Sequence, residues 1–252
     1  MAVGLQYFIQ NLTISMGHLA VYDALKNTYQ LQPEELQYMM TIIAIPWAPK
    51  IFYGIITDTF PICGSTKKSY IIVLGVLYFV CSFSYALFVF ENPGPAVAII
   101  TLAMFALAMS DVVVDGLTVD QQRLDPKNGS EDLQSYVWAV AGISGVIGYI
   151  AGGFLTEYGY AKQSFYIGAG VAIIINISAC FLDKKLEQTQ TATIEMSLWE
   201  RTKHNFKMIK KGLQGKELYM TFFFVLIQGA IYPNYTDYMY FYLTDPKHAG
   251  FS

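Results

Sequence analysis

Residues 110–138 read SDVVVDGLTVDQQRLDPKNGSEDLQSYVW. The start of this stretch continues an apolar run long enough to cross a bilayer, and it carries Asp111 and Asp115 into that run. A carboxylate at such depth costs several kcal/mol unless it faces a protein interior or a water-filled path. The helix that holds this pair must therefore belong to a bundle and turn the pair inward. A polar seam within the membrane follows, and function is expected along it.

Apolar runs of similar length recur on either side, at residues 3–25, 38–57, 69–90, 96–119, 136–156, 164–182 and 218–243. A spanning helix needs about 20 mostly apolar residues. A chain of 252 residues that is 54% hydrophobic and 15% aromatic is ordinary for a helical membrane bundle and unusual for a soluble domain. The ten-residue alternating strands of a membrane barrel are missing from the pattern. The fold class expected is an all-α, polytopic membrane bundle. Its parts are a six-helix bundle over residues 1–182, a linker over 183–216 and a seventh span within 217–252.

Charge sets the orientation. With the N-terminus in the cytoplasm, 12 of the 16 Lys and Arg residues fall on the cytoplasmic side, three outside and one, Lys50, within the membrane. The positive-inside rule thus predicts a multi-pass protein with a cytoplasmic N-terminus, in either the plasma membrane or an organelle membrane. No signal peptide is expected before the first span. Cys63, Cys81 and Cys180 have neither metal-ligand spacing nor an even count, and read as packing residues.

The first span is only partly apolar. Gln6, Gln10, Thr13 and Gly17 recur at helical spacing, with Asn11, Ser15 and His18 on the neighbouring stripe. Such a flank suits a cavity wall, with Gln6 and Gln10 on it; interhelical hydrogen bonding in a dry bundle is the alternative. The fifth span carries Gly142, Gly145, Gly148, Gly152 and Gly153, a smooth face for close helix packing.

In the linker, Leu198, Thr202, Phe206, Ile209 and Leu213 share a helical face beside Trp199, while Lys203, Lys207, Lys210 and Lys211 lie mostly on the other. A basic amphipathic helix along the cytoplasmic leaflet is expected, with calmodulin binding as the alternative. The last span is dense in tyrosine, and Pro233 should kink it. Tyr232 and Asp237 lie beside that kink, and broken polar helices near a membrane midplane often form substrate sites.

Lys50 precedes Asp58 by eight residues and Asp111 precedes Asp120 by nine, so both sit about 12 Å inside the same end of the bundle. Asp115, four residues after Asp111, shares its face. Two carboxylates and one ammonium thus occupy one layer. Pro46 and Pro49 should bend the second span near Lys50. A structural ion pair is one reading. A proton-coupled or organic-solute site is another, in which the carboxylate that Lys50 does not neutralise takes up the proton. A third is a membrane enzyme, because Asp-x-x-x-Asp resembles the Mg²⁺–diphosphate motif of intramembrane prenyltransferases. That chemistry needs a second acidic motif of the same spacing, which the sequence lacks, so no enzyme is expected. Downstream, Gly54, Asp58, Lys67, Lys68 and Arg123 suit a cytoplasmic gate in which carboxylates meet helix ends and lysines.

Several segments together resemble the folate–biopterin transporter family of the major facilitator superfamily. They are PWAPKIFYGIITDTFPICGSTKKSY from Pro46, SDVVVDGLTVDQQR from Ser110, DLQSYVWAVAGISGVIG from Asp132 and PNYTDYMYFYLTDPKHAGFS from Pro233. The resemblance covers essentially the whole chain in collinear order. It implies twelve or more spans in two six-helix halves, with a folate, a pterin or a related solute carried between them, with protons. Cofactors, metals and nucleic acid have no place in it.

The sequence supplies the first half and a seventh span, so the expectation is a truncated transporter, or a half that works with a second half or a second copy. A non-transporting membrane scaffold is the competing class. In that setting the Gly-rich fifth span and the Gly54–Asp58 latch would face surfaces of the second half. Asp111 would bind the donor–donor edge of a pterin, Lys50 a folate carboxylate, and Tyr232 would stack on the ring.

Overall fold

Prolines and glycines decide where the helices of this chain start, break and stop. The computed structural model describes residues 2–123, 125, 128–180, 198–231, 235–245, 247 and 249–250. The chain divides into two compact units, Met1–Thr189 and Gln190–Ser252. Among the described residues a single bridge, Ile62 to Ser65, is the only β pairing, and the fold is all-α.

In the first unit, α1 (Ala2–Asp23) passes into a π turn at Ala24–Thr28. Pro33 then opens α2 (Pro33–Ala44), where Gln32 and Glu35 form a capping box. Pro46 and Pro49 remove N–H donors, so the rod tightens to a 3-10 turn at Ile45–Trp47 and resumes as α3 (Lys50–Thr59). The bend expected beside Lys50 is there, and it puts Lys50 at the start of a helix. After α3, Cys63 and Gly64 take φ values of 51° and 77°, and Ile62 and Ser65 exchange two backbone hydrogen bonds of 3.0 Å. This is the geometry of a tight hairpin turn. Ser65 Oγ accepts the N–H groups of Lys67 and Ser69, each at 3.3 Å, and so caps α4 (Lys68–Leu87).

Pro93 begins α5 (Pro93–Gln122), the longest helix described. After α6 (Gly129–Glu157) the N–H of Tyr160 bonds to Leu155 O and that of Gly159 to Thr156 O. Gly159, with φ at 75°, makes this Schellman turn possible. It leads into α7 (Gln163–Cys180).

The core forms around α5. Its Ala108, Val113, Val114 and Leu117 are buried with Ile71 and Leu74 of α4, Ile175 and Ala179 of α7, and Val3 and Ile9 of α1. On the other side of α1, α6 approaches to a distance that only glycine allows. A Cβ on Gly148 would lie 2.6 Å from the Leu12 carbonyl oxygen, and one on Gly152 3.0 Å from that of Met16. The Gly-rich face thus finds its surface on α1, not in a second half as expected. The far face of α6 shows Ile143, Val146, Ile150 and Phe154, each more than half exposed. An apolar face of that kind suits lipid rather than water.

Among the described residues, five rods are long and apolar enough to cross a membrane: α2 with α3 (Pro33–Thr59), then α4, α5, α6 and α7. At 22 residues α1 has the length, but Gln6, Gln10, Asn11 and His18 lower its hydropathy. The protein is an integral, multi-pass membrane protein.

The second unit holds α8 (Leu198–Leu213), α9 (Lys216–Ile231) and α10 (Thr236–Thr244). The span expected at 218–243 is thus two helices, and Pro233, where the break was expected, lies outside the described residues. The 16 residues of α9 reach about 24 Å, less than the hydrocarbon core of about 30 Å.

Candidate functional site

Helix α5 presents Asp111 and Asp115 one turn apart on a single face, and the broken second rod brings a cation to meet them. Lys50 Nζ lies 2.5 Å from Asp111 Oδ2 and 4.6 Å from the centre of the Trp47 ring. The 3-10 turn is what folds Trp47 back over the ammonium, adding a cation–π contact to the ion pair. The pair is half-buried, with side-chain exposures of 34% for Lys50 and 18% for Asp111.

Asp115 is more open and has a different kind of partner. The Tyr7 hydroxyl of α1 donates to Asp115 Oδ1 and lies 3.4 Å from Thr118 Oγ1. Thr118 itself donates to Val114 O at 2.9 Å, which fixes its hydroxyl along α5. Asn11 Nδ2 bonds to Tyr7 O at 3.0 Å. These groups line one open cavity of about 460 Å³, together with Ile14 of α1 and with Gln134, Val137, Trp138 and Ala141 of α6. That volume lies in the range of small-molecule sites, and the wall mixes aromatic surface with a few convergent charges, as such sites do. A flat aromatic ring could lie against Trp138, which is 74% exposed.

The structure sorts the residues singled out from sequence. Lys50, Asp111 and Asp115 come together as the depth argument requires. Gln6 and Gln10 do not line this cavity; both are fully buried between helices. Gln6 Nε2 bonds to Ser178 Oγ at 2.5 Å and to Ile175 O at 3.3 Å, and Gln10 Nε2 to Ser110 Oγ at 3.2 Å. The reason is rotational: the stripe of Gln6, Gln10 and Thr13 turns toward α5 and α7, and the next stripe, Tyr7, Asn11 and Ile14, faces the cavity. Tyr232 and the side chain of Asp237 lie outside the described residues.

Sequence reasoning missed Tyr7, Trp47, Gln134 and Trp138 as lining residues. The signals were available: Tyr7 shares a stripe with Asn11, Trp47 sits between the two prolines, and Gln134 and Trp138 are four residues apart.

About 13 Å further along α5 lies a second charge layer. Lys67, just before α4, pairs with Asp120, and both side chains are nearly inaccessible, at 6% and 8%. Arg123 adds an exposed contact to Asp120 at 3.5 Å. A Cβ on Gly116 would lie 3.4 Å from Lys67 Nζ, so this glycine leaves the lane along which Lys67 reaches Asp120. Lys68 Nζ instead donates to Cys180 O at 3.1 Å, satisfying a carbonyl at the end of α7. Gly54 packs α3 on α5, with Val112 at 3.6 Å from its Cβ position. Asp58 lies at the last turn of α3 and is exposed.

Fold and site together define a polytopic helical membrane protein with a charged, solute-sized cavity open on one side of its first unit. The profile of the BT1 family matches residues 10–252, and the chain belongs to that family. It is 25% identical to the folate-biopterin transporter of Synechocystis over 97% of this chain and 49% of that protein. It is 33% identical to probable folate-biopterin transporter 4 of Arabidopsis thaliana over 60% of this chain and 31% of the relative. Folate transporter 1 of Plasmodium falciparum is 24% identical over 90% of this chain and 43% of its own length. The chain spans about half the length of the curated relatives it matches or less. No solved structure matches it.

Proposed function

We propose that this chain forms the substrate-binding first half of a proton-coupled transporter of folate, biopterin or a related solute, with its N-terminus in the cytoplasm. The observation that carries the reading is the cavity in which Lys50 and Asp111 pair while Asp115 accepts the Tyr7 hydroxyl. The family and the names of the relatives support the substrate class. The excess of cytoplasmic lysine supports the orientation.

Each group has a task in this mechanism. A pterin edge offers two donors that a carboxylate accepts bidentately; Asp111 takes that edge once Lys50 turns to the substrate, and Asp115, open to the cavity, takes up the proton. Lys50 meets a substrate carboxylate by exchanging it for Asp111. Trp47 and Trp138 supply apolar surface for the ring. Alternating access requires a second half-bundle facing this cavity, which rocks against it. Gly54, Asp58, Lys67, Lys68 and Arg123 then form the cytoplasmic closure.

The test is uptake of labelled folate and biopterin into proteoliposomes holding this chain together with a facing half. Asp111→Asn should abolish uptake while membrane insertion stays intact. Normal uptake by that variant would sink the assignment. Equal uptake with and without a pH gradient would remove the proton. If the wild-type assembly binds neither solute and moves neither, the chain is a scaffold.

A further inference from the structure

The helix α8 has no part in the cavity, and its surface chemistry calls for a partner of its own. Around its axis, Leu198, Ile209, Thr202, Leu213, Phe206 and Trp199 fall within an arc of about 100°, from the 100° turn per residue. Lys210 and Lys203 border that arc on the Trp199 side, and Lys207 and Lys211 continue beyond them. Trp199 and Phe206 are exposed at 77% and 53%. All four lysines are exposed, and no salt bridge to them is found among the described residues. Only Glu200 in the first turn opposes their charge.

Chain connectivity adds a constraint. Two residues separate α8 from α9, whose stretch Leu218–Ile231 is apolar but for Thr221 and Gln228. A helix tethered that closely to an apolar segment comes to the level of the headgroups when that segment enters a bilayer. There a Trp and a Phe can enter the acyl boundary while flanking lysines meet phosphates.

We infer that α8 is a docking surface for anionic lipid: Trp199 and Phe206 insert at the headgroup boundary, and Lys203, Lys207, Lys210 and Lys211 bind the lipid phosphates. An aromatic edge bordered by exposed cations is complementary to an acidic leaflet. A zwitterionic leaflet offers the apolar contact without the net charge. Each lysine near an anionic surface contributes about fivefold in partition, so the four together bias docking by roughly 600-fold. The inference stands whether or not the cavity carries folate.

The test places a nitroxide on Phe206→Cys in the full chain, with Cys63, Cys81 and Cys180 replaced by serine. The protein is held in nanodiscs of phosphatidylcholine alone, or with roughly one-third phosphatidylglycerol. Oxygen and a water-soluble nickel chelate report depth. We expect the label to be oxygen-accessible and shielded from nickel in the anionic discs. It should move toward water in the neutral discs, in high salt, and in the variant with all four lysines changed to glutamine. Those exposed lysines carry no buried contact, so the variant should fold as the parent does. A label shielded equally from both reagents in every lipid would place α8 against protein and overturn the inference. So would a label that stays in water whatever the lipid and is sequestered only by calcium-loaded calmodulin.

Discussion

The buried pair of Lys67 and Asp120 offers the sharpest energetic test of the bundle. Asp120→Asn removes the negative charge and leaves an ammonium whose side chain is 6% exposed. Breaking a buried pair from one side costs about 3–5 kcal/mol, because the surviving charge is desolvated without compensation. The remaining contact of Asp120, from Arg123 with a side chain 69% exposed, is worth less than about 1 kcal/mol and does not change the estimate.

For a unit of this size each kcal/mol moves the midpoint by about 2–4 °C, so Asp120→Asn should lose roughly 6–20 °C. Replacing both partners, with Lys67→Met and Asp120→Leu, removes the stranded charge and should recover most of that loss. The buried Cys81 of α4 supplies the assay. With Cys63 and Cys180 changed to serine, a thiol-reactive fluorophore reports the unfolding of the detergent-solubilised protein through this one residue. If Asp120→Asn melts within about 2 °C of the parent, the pair is not a clamp. If the double variant melts as low as the single, charge desolvation is the wrong cause.

Three further outcomes follow from the geometry. Gly148→Leu should destabilise the bundle by about 1–3 kcal/mol or more, because the Leu12 carbonyl oxygen it meets is backbone, whereas Gly142→Leu, with open space at its Cβ, should stay within about 0.5 kcal/mol; equal midpoints for the two would contradict the packing of α6 on α1. Lys50→Gln should weaken folate uptake about 10- to 100-fold more than biopterin uptake, since only folate carries a carboxylate for this ammonium, and an equal loss for both would leave Lys50 a structural partner of Asp111. If Asp115 carries the proton, uptake by the wild-type assembly rises as pH falls on the substrate side while Asp115→Asn makes uptake flat with pH; an unchanged profile in that variant assigns the proton elsewhere.

Much of this architecture was legible in the sequence because bilayer thickness acts as a ruler. Counting eight and nine residues back from the helix-terminal Asp58 and Asp120 was enough to bring Lys50 and Asp111 to one depth, and they meet. Pro46 and Pro49 announced the broken rod because each lacks a donor that a helix needs. The rotation of α1 was not legible. Its stripe Gln6–Gln10–Thr13 is wholly polar and reads as the cavity wall, whereas Tyr7–Asn11–Ile14, which mixes polar and apolar groups, is the stripe that lines the cavity. Only neighbours decide, and the acceptors Ser178 and Ile175 that hold Gln6 lie more than 160 residues away. The partner of Asp115 was hidden for a related reason. A tyrosine at membrane depth reads as apolar surface until a carboxylate is found at its hydroxyl.

The two charge layers also share a mechanical arrangement. Lys50 opens α3 and Lys67 precedes α4, so both lysines ride on one helical hairpin closed by the tight turn at Cys63 and Gly64. Both acidic partners ride on α5. The hairpin is therefore held to α5 at two points, one facing the cavity and one nearly dry. A displacement of the hairpin along α5 must break both pairs together, and the dry pair dominates the cost because its desolvation is the larger. Exchange of Asp111 for a solute carboxylate loosens only the wet pair. In the proposed transport cycle, binding at the cavity alone therefore cannot free the hairpin, and opening at the Lys67 end needs a second event at Asp120. Arg123, exposed and already 3.5 Å from that carboxylate, is the cation positioned to take it over.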